Sequence, residues 1–342
     1  MAALCLALAS AARADEVVTR PFVGVVHVAR TETSPRPLRM HIIDIDLSAQ
    51  GLHLRVTPPR GRLETVKQTT LQYLVEQRAQ IAINAHFFEP WPAPEPDDGA
   101  VDLVGLAASD GRVYSAFTAE PPKPQAIRPD VPAINVGPDN RASVVHRNPQ
   151  DPSGRSVVEP LALYNAVAGS EQIVTGGAVT VGPSDWNRQL NPRTAIGLTG
   201  SGHLILFTVD GRQSGMSEGM SVGEVAEFLV QHYGVVDALN MDGGGSTTLA
   251  MADLEPRVVN TPVGISNTPG TLRAVGSNLA IFAQAAEVAA VPSPAPATTG
   301  QATEWIVGIA LVAGLAIAAW FVVRRKRPHP PAGRRFWRTA DR

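Results

Sequence analysis

Leu204-Ile205-Leu206-Phe207-Thr208-Val209-Asp210-Gly211-Arg212 opens a stretch that closes with Asp237-Ala238-Leu239-Asn240-Met241-Asp242-Gly243-Gly244-Gly245-Ser246-Thr247-Thr248. Residues 204–209 form an almost unbroken apolar run, which marks a strand covered on both faces. Between the two ends, Ser221-Val222-Gly223-Glu224 is a capping box. Val222, Val225, Ala226, Leu229 and Tyr233 then recur at helical spacing until Gly234 stops the helix. Strand, helix and strand in succession make a βαβ unit, whose strands normally run parallel. Asp210 and Asp242 would then leave the sheet at one edge, the carboxyl ends where open α/β sheets bind ligands. The expected fold is α/β: a mixed α+β sheet built on this βαβ unit, in a single globular domain followed by a C-terminal transmembrane helix.

Working outward, the three glycines after Asp242 weaken any regular element but allow φ > 0 and an approach to ligand that no β-carbon blocks. A carboxylate at the end of a buried strand beside bare backbone N–H groups is a candidate site; the plainer reading is a tight turn that needs glycine. Upstream, alternation marks strands around residues 22–27, 40–47 and 52–56. A helix is expected from a cap at Thr69 or Thr70, with Leu71, Leu74 and Val75 on one face. It leads into the short strand Ile81-Ala82-Ile83-Asn84. Asn84 and His86, polar at the end of an apolar strand, are a second candidate site element, although a lone histidine is more often a packing residue. The proline-rich stretches 90–98 and 121–132 exclude helix and central strand and read as rim loops. Further strands are expected at 173–174, at 193–198 and, last, at 273–282.

Charge and hydropathy divide the chain. From Arg324 onward there are eight Lys/Arg and one acid, against 21 Lys/Arg and 30 Asp/Glu in residues 1–323. An acidic main domain argues against a nucleic-acid partner. The single cysteine, Cys5, leaves the body without disulfides or thiol chemistry. Residues 1–14 read as a signal peptide ending in Ala12-Arg13-Ala14. Residues 15–285 are the expected domain and 286–303 an Ala/Pro/Thr linker. From Trp305 to Val323 no residue is charged, about 28 Å as a helix and close to the ~30 Å hydrocarbon core. Residues 304–323 are therefore expected to span a membrane, with the basic tail 324–342 in the cytoplasm and the main domain outside.

Arg193-Thr194-Ala195-Ile196-Gly197, Thr208-Val209-Asp210-Gly211-Arg212, Ser217-Glu218-Gly219-Met220-Ser221 and Asn240-Met241-Asp242-Gly243-Gly244-Gly245-Ser246 follow an order that resembles the phosphodiester glycosidase family. Ile83-Asn84-Ala85-His86-Phe87-Phe88 is similar to its N-terminal Asn…Phe-Phe motif, Gly176-Gly177 to its middle glycine pair, and Arg273-Ala274-Val275 with Asn278 to its closing segment. The resemblance covers roughly residues 40–283. His86 stands where the family usually carries glycine or a small polar residue, and Leu272-Arg273 where it usually carries Glu-Arg.

The resemblance implies a hydrolase that splits a sugar-1-phosphodiester in cell-envelope or extracellular polysaccharide metabolism. Such chemistry passes through an oxocarbenium-like transition state that carboxylates stabilise or serve by activating water. Asp242 and Asp210 are the candidates, although Asp210-Gly211-Arg212 also fits a simple turn. The phosphate calls for guanidinium forks or N–H nests, for which Arg193, Arg212, Arg273 and the Gly243, Gly244, Gly245 turn are suited. Asn84, His86, Thr194, Ser217, Ser246, Thr247 and Asn278 complete the implied substrate-binding set. No cofactor is expected, and no His/Cys/Asp spacing resembles a metal motif. The expected partners are the carbohydrate phosphodiester and, through the C-terminal helix, a membrane. The competing class is a glycan-binding or exopolysaccharide-assembly protein that keeps the fold without catalysis.

Overall fold

Strand His203–Val209 is buried along nearly all its length, and its two faces meet different partners. Leu204 and Leu206 enter a core shared with a second sheet, whereas Ile205, Phe207 and Val209 pack with Val222, Val225 and Leu229 of helix Val222–Tyr233. In this computed structural model the described residues are 14–91, 98–123 and 127–286, and the compact unit that holds them ends at Ala286.

The larger sheet has eight strands, in the order 14–22, 25–32, 38–46, 203–209, 193–199, 235–240, 171–175 and 178–179. The second has five, in the order 257–258, 249–251, 81–84, 278–282 and 53–56. Ile43, Ile45, Ile196 and Leu239 of the first meet Leu54, Ile83, Leu249 and Ile281 of the second in one core. Helix Val222–Tyr233 covers the far face of the larger sheet. Helix Thr70–Gln77 covers the far face of the smaller through Tyr73 and Leu74 against Ala82, Ala250 and Ala280. A further five-stranded sheet, 112–115, 107–109, 165–168, 133–136 and 142–145, adds Ile134, Val136 and Val167 to the shared core. The domain is mostly β-sheet with few helices.

This corrects the expected βαβ unit. Strands 203–209 and 235–240 run in the same direction but are not neighbours; strand Arg193–Thr199 lies between them, antiparallel to both. Every named ladder in the two main sheets is antiparallel. The apolar run misleads because a sheet sandwiched between another sheet and a helix loses its polar face whichever way its strands point. The functional corollary survives: with Arg193 opposite Val209 and Ala195 opposite Asn240, the chain segments bearing Arg193, Asp210 and Asp242 share one edge.

Both capping boxes form. Ser221 and Glu224 close the start of helix Val222–Tyr233, and Gly234 ends it at φ 61°. Thr69 and Gln72 do the same for Thr70–Gln77, with Arg78 left-handed at its end. Its buried face carries Thr70, Tyr73 and Leu74, while Val75, expected on it, is exposed. The edge strand Ala14–Phe22, the five strands of the sheet spanning 107–168 and the one-turn helix Asp185–Arg188 have no named counterpart in the sequence reading. Among the described residues no helix is long and apolar enough to cross a membrane. The segment expected to do so, 304–323, lies outside them, as do the linker from 287, the basic tail and residues 1–13 of the leader.

Candidate active site

Asp242 leaves strand Val235–Asn240 and enters a single 3-10 turn, Gly244–Ser246. Its backbone is pinned first: its N–H donates to the Ala85 carbonyl at 3.0 Å, and its own carbonyl accepts from Asn84 Nδ2 at 2.5 Å. Asn84 Oδ1 in turn accepts from Thr194 Oγ1 at 2.9 Å and the Thr248 N–H at 3.0 Å. Thr247 Oγ1 lies 3.4 Å from Thr194 Oγ1, so this buried polar hub fixes the turn from below. Gly244 is left-handed at φ 59°, and a β-carbon on Gly245 would collide with the Gly264 carbonyl. The glycines thus let the turn fold tightly under the 264 loop as well as leaving space above it.

The Asp242 carboxyl is almost wholly buried. Burial pushes its pKa up to about 6, against the pull of the Ser246 hydroxyl, the Arg273 charge and the Gly243 N–H. It lines a cavity of about 260 Å³ together with Gly243, Gly244, Gly245, Arg193, Arg212 and Arg273. Arg193 donates through Nε to the Met220 carbonyl at 3.0 Å and through Nη2 to those of Trp186 and Gln189 at 3.1 and 2.6 Å. Burial and the neighbouring Arg212 lower its pKa to about 10, which leaves it cationic at neutral pH. Arg212, left-handed at φ 58°, is held by the side-chain oxygens of Asn191 at 2.9 Å and Asn267 at 2.8 Å. Arg273 donates to Ser246 Oγ at 3.2 Å and the Gly264 carbonyl at 3.1 Å, and lies 4.5 Å over the Trp91 ring. Neutral acceptors orient all three guanidinium groups, and the one carboxylate in the described lining is Asp242, whose charge acts on Arg273.

The remaining candidates stand behind the wall. The Asp210 carboxylate accepts from Asn260 Nδ2 at 2.9 Å and, through both oxygens, from the Thr261 N–H at 3.0 Å. It is buried and absent from the cavity lining, although burial raises its pKa. Ser217 donates to the Asp210 carbonyl at 2.6 Å and accepts from the Arg39 N–H at 3.0 Å. His86 is fully buried: Nε2 lies 3.0 Å from both the Ala168 N–H and the Leu106 carbonyl, and Nδ1 lies 2.7 Å from Ser277 Oγ. Desolvation lowers its pKa to about 4, so it packs as a neutral ring. Asn278 accepts from Thr70 Oγ1 at 2.7 Å between the smaller sheet and its helix. The structure therefore gathers Asp242, the three arginines and the three glycines at the cavity. Asn84, Thr194, Ser246 and Thr247 support it, while Asp210, Ser217, His86 and Asn278 serve as framework.

Sequence reasoning missed the aromatic and amide part of the wall: Trp91, Trp186, Asn187, Asn191 and Asn240. Trp91 and Ile127 sit at the described ends of the two proline-rich stretches expected on the rim. Tryptophan inside a proline-rich loop, with no core to enter, was the available signal for Trp91. Nothing in the sequence marked Trp186. Among the described residues no three His, Cys, Asp or Glu side chains come together to hold a metal.

A β-rich sandwich with one carboxylate set among three guanidinium groups is an arrangement chemically suited to hold an anion beside a group able to transfer a proton. Residues 77–282 match the model of the phosphodiester glycosidase domain, and the chain belongs to that family. Over 62 residues it is 45% identical to the N-acetylglucosamine-1-phosphodiester alpha-N-acetylglucosaminidase of Mus musculus and 44% identical to that of Homo sapiens. Those stretches cover 18% of this chain but only 11% and 12% of the two relatives. The fold is similar to the zebrafish catalytic domain of the same name, with TM-score 0.53 and 18% identity over 81% of this chain and 85% of that one.

Proposed function

We propose that this chain is an exported, membrane-anchored hydrolase that splits a sugar-1-phosphodiester between the anomeric carbon and its oxygen, in cell-envelope or extracellular polysaccharide metabolism. The observation that carries this reading is the placement of Asp242 as the one described carboxylate in a cavity lined by Arg193, Arg212 and Arg273. The arginines hold the phosphate by charge-assisted hydrogen bonds, and Trp91 and Trp186 offer apolar faces to the sugar ring. As the C1–O bond breaks, its electron pair leaves with a phosphomonoester whose growing charge meets fixed cations. A second carboxyl acting as general acid is therefore not needed, which accords with Asp210 lying outside the lining. Asp242, ionised, attacks C1 or takes the proton of the water that does; either way water finally supplies the hydroxyl at C1.

The test is release of free sugar from a panel of sugar-1-phosphodiesters by the full chain in detergent, with N-acetylglucosamine as the first sugar. Phosphomonoester and sugar are the expected products; sugar-1-phosphate would mean that the other ester bond is cut. Because the ionised form of Asp242 acts and burial holds its pKa near 6, kcat/KM should rise with pH through about 6 and then level off. A profile that falls through pH 6 would assign the carboxyl the role of an acid instead. For the location, protease added to intact spheroplasts should digest the main domain, whereas protection would reverse the topology.

A further inference from the structure

A buried carboxylate that the reaction does not use stands behind the cavity wall at Glu171. It opens strand Glu171–Thr175 opposite Asn240 and takes no part in the lining. Its Oε2 accepts from the Gly182 N–H at 3.1 Å and lies 3.7 Å from the Arg128 guanidinium. Its Oε1 accepts from Nδ2 of Asn187 at 2.5 Å, and the same amino group donates to the Gly182 carbonyl at 2.7 Å. Asn187, unlike Glu171, is in the cavity wall. A carboxylate and a carbonyl only accept, so together they demand the amino end of the Asn187 side chain and turn its oxygen the other way. No hydrogen bond among the described residues uses that oxygen. The backbone is held as firmly. The Asn187 N–H donates to Ser184 Oγ at 3.1 Å, and the carbonyls of Trp186 and Gln189 accept from Arg193.

We infer that Asn187 is a specificity residue whose fixed amide oxygen accepts a hydrogen bond from a hydroxyl or amide N–H on the sugar ring. This rests on the reading above and assigns the sugar to this part of the wall. An ionised phosphodiester carries acceptors only, so it has nothing to give Asn187 and is drawn to the guanidinium groups instead. A sugar ring carries donors. Glu171 is a positioning residue: it fixes which end of the amide faces the cavity, and its charge polarises that amide and strengthens the oxygen as an acceptor. Trp186, the preceding residue in the same wall, offers a ring face while Asn187 reads one edge group. A sugar that lacks the donor leaves a desolvated oxygen unpaired, which is how a polar site rejects an analogue.

The experiment measures kcat/KM of the full chain in detergent for the methyl phosphodiester of N-acetylglucosamine-1-phosphate and for its 2-, 3-, 4- and 6-deoxy analogues. One analogue is expected to be at least about tenfold poorer than the parent. In Asn187→Ala that penalty should fall to about twofold or less, because the acceptor is gone. Parent and analogue sample the same folded fraction, so any loss of stability cancels from the ratio. Glu171→Gln should shrink the same penalty: with its oxygen on the Gly182 N–H, the new amide turns its amino group to Asn187 and drives that side chain to flip. A ratio unmoved by Glu171→Gln overturns the positioning role. Equal rates across the panel overturn the inference, as does a penalty that Asn187→Ala leaves whole. Turnover of none of the compounds counts against the proposed hydrolysis, and calorimetric titration of the same panel then decides recognition. One deoxy compound binding at least about tenfold more weakly, with the difference erased by Asn187→Ala, upholds it. Equal affinities, or no binding at all, defeat it.

Discussion

Replacing Asp242 by Asn should lower kcat by about 10²–10⁴-fold, the range for loss of a single catalytic acid or base, while the domain stays folded. The amide matches the carboxyl in size and suits the same turn. The backbone bonds to Ala85 and Asn84 do not involve the side chain. What disappears is the negative charge beside Arg273 and the capacity to attack carbon or accept a proton. Removing a buried charge whose pKa burial has raised also relieves a desolvation cost above pH 6, so the variant should melt no lower than the native chain. Melting temperature and single-turnover sugar release, measured together, check this. Retention of more than about a tenth of native kcat would reduce Asp242 to a turn residue.

Asp210→Ala should act in the opposite way, through stability. Its carboxylate holds Asn260 and the Thr261 N–H, and Asn260 also donates to the Thr247 carbonyl and accepts from the Leu249 N–H. Truncation leaves buried donors unpaired at about 1–3 kcal/mol each, so a loss of about 2–4 kcal/mol is expected in denaturant unfolding. The fraction that remains folded should keep kcat within about tenfold of native, because Asp210 lies outside the cavity wall and no general acid–base group is lost from it. If unfolding is unchanged and turnover vanishes, Asp210 belongs to the chemistry and the single-carboxylate mechanism fails.

The two aspartates show why the site was half legible. Each follows an apolar strand, precedes glycine and sits in a family-like motif, so local sequence treats them alike. They differ in what arrives from elsewhere in the chain. Asn260 and Thr261 occupy the Asp210 carboxylate, whereas Asp242 meets only Ser246, its neighbouring Gly243 N–H and the charge of Arg273. His86 follows the same logic: Ser277, Leu106 and Ala168 surround its two nitrogens. The arginines could be recognised because a guanidinium inside an apolar or glycine-rich motif has no ordinary structural use. Trp186 could not, since a short helix of polar residues carries no periodic signal.

The sequence by itself determined whatever depends on near neighbours: the two capped helices, the apolar strands, the glycine turn after Asp242 and the family motifs. These follow from propensity, periodicity and capping, which act over a few residues. Only the tertiary structure decided the order and direction of the strands. Strand 193–199 enters between 203–209 and 235–240, and an apolar run covered on both faces looks the same whether its neighbours are parallel or antiparallel. Tertiary structure also decided which polar side chains were left for a ligand, because hydrogen-bond satisfaction is settled by partners distant in sequence.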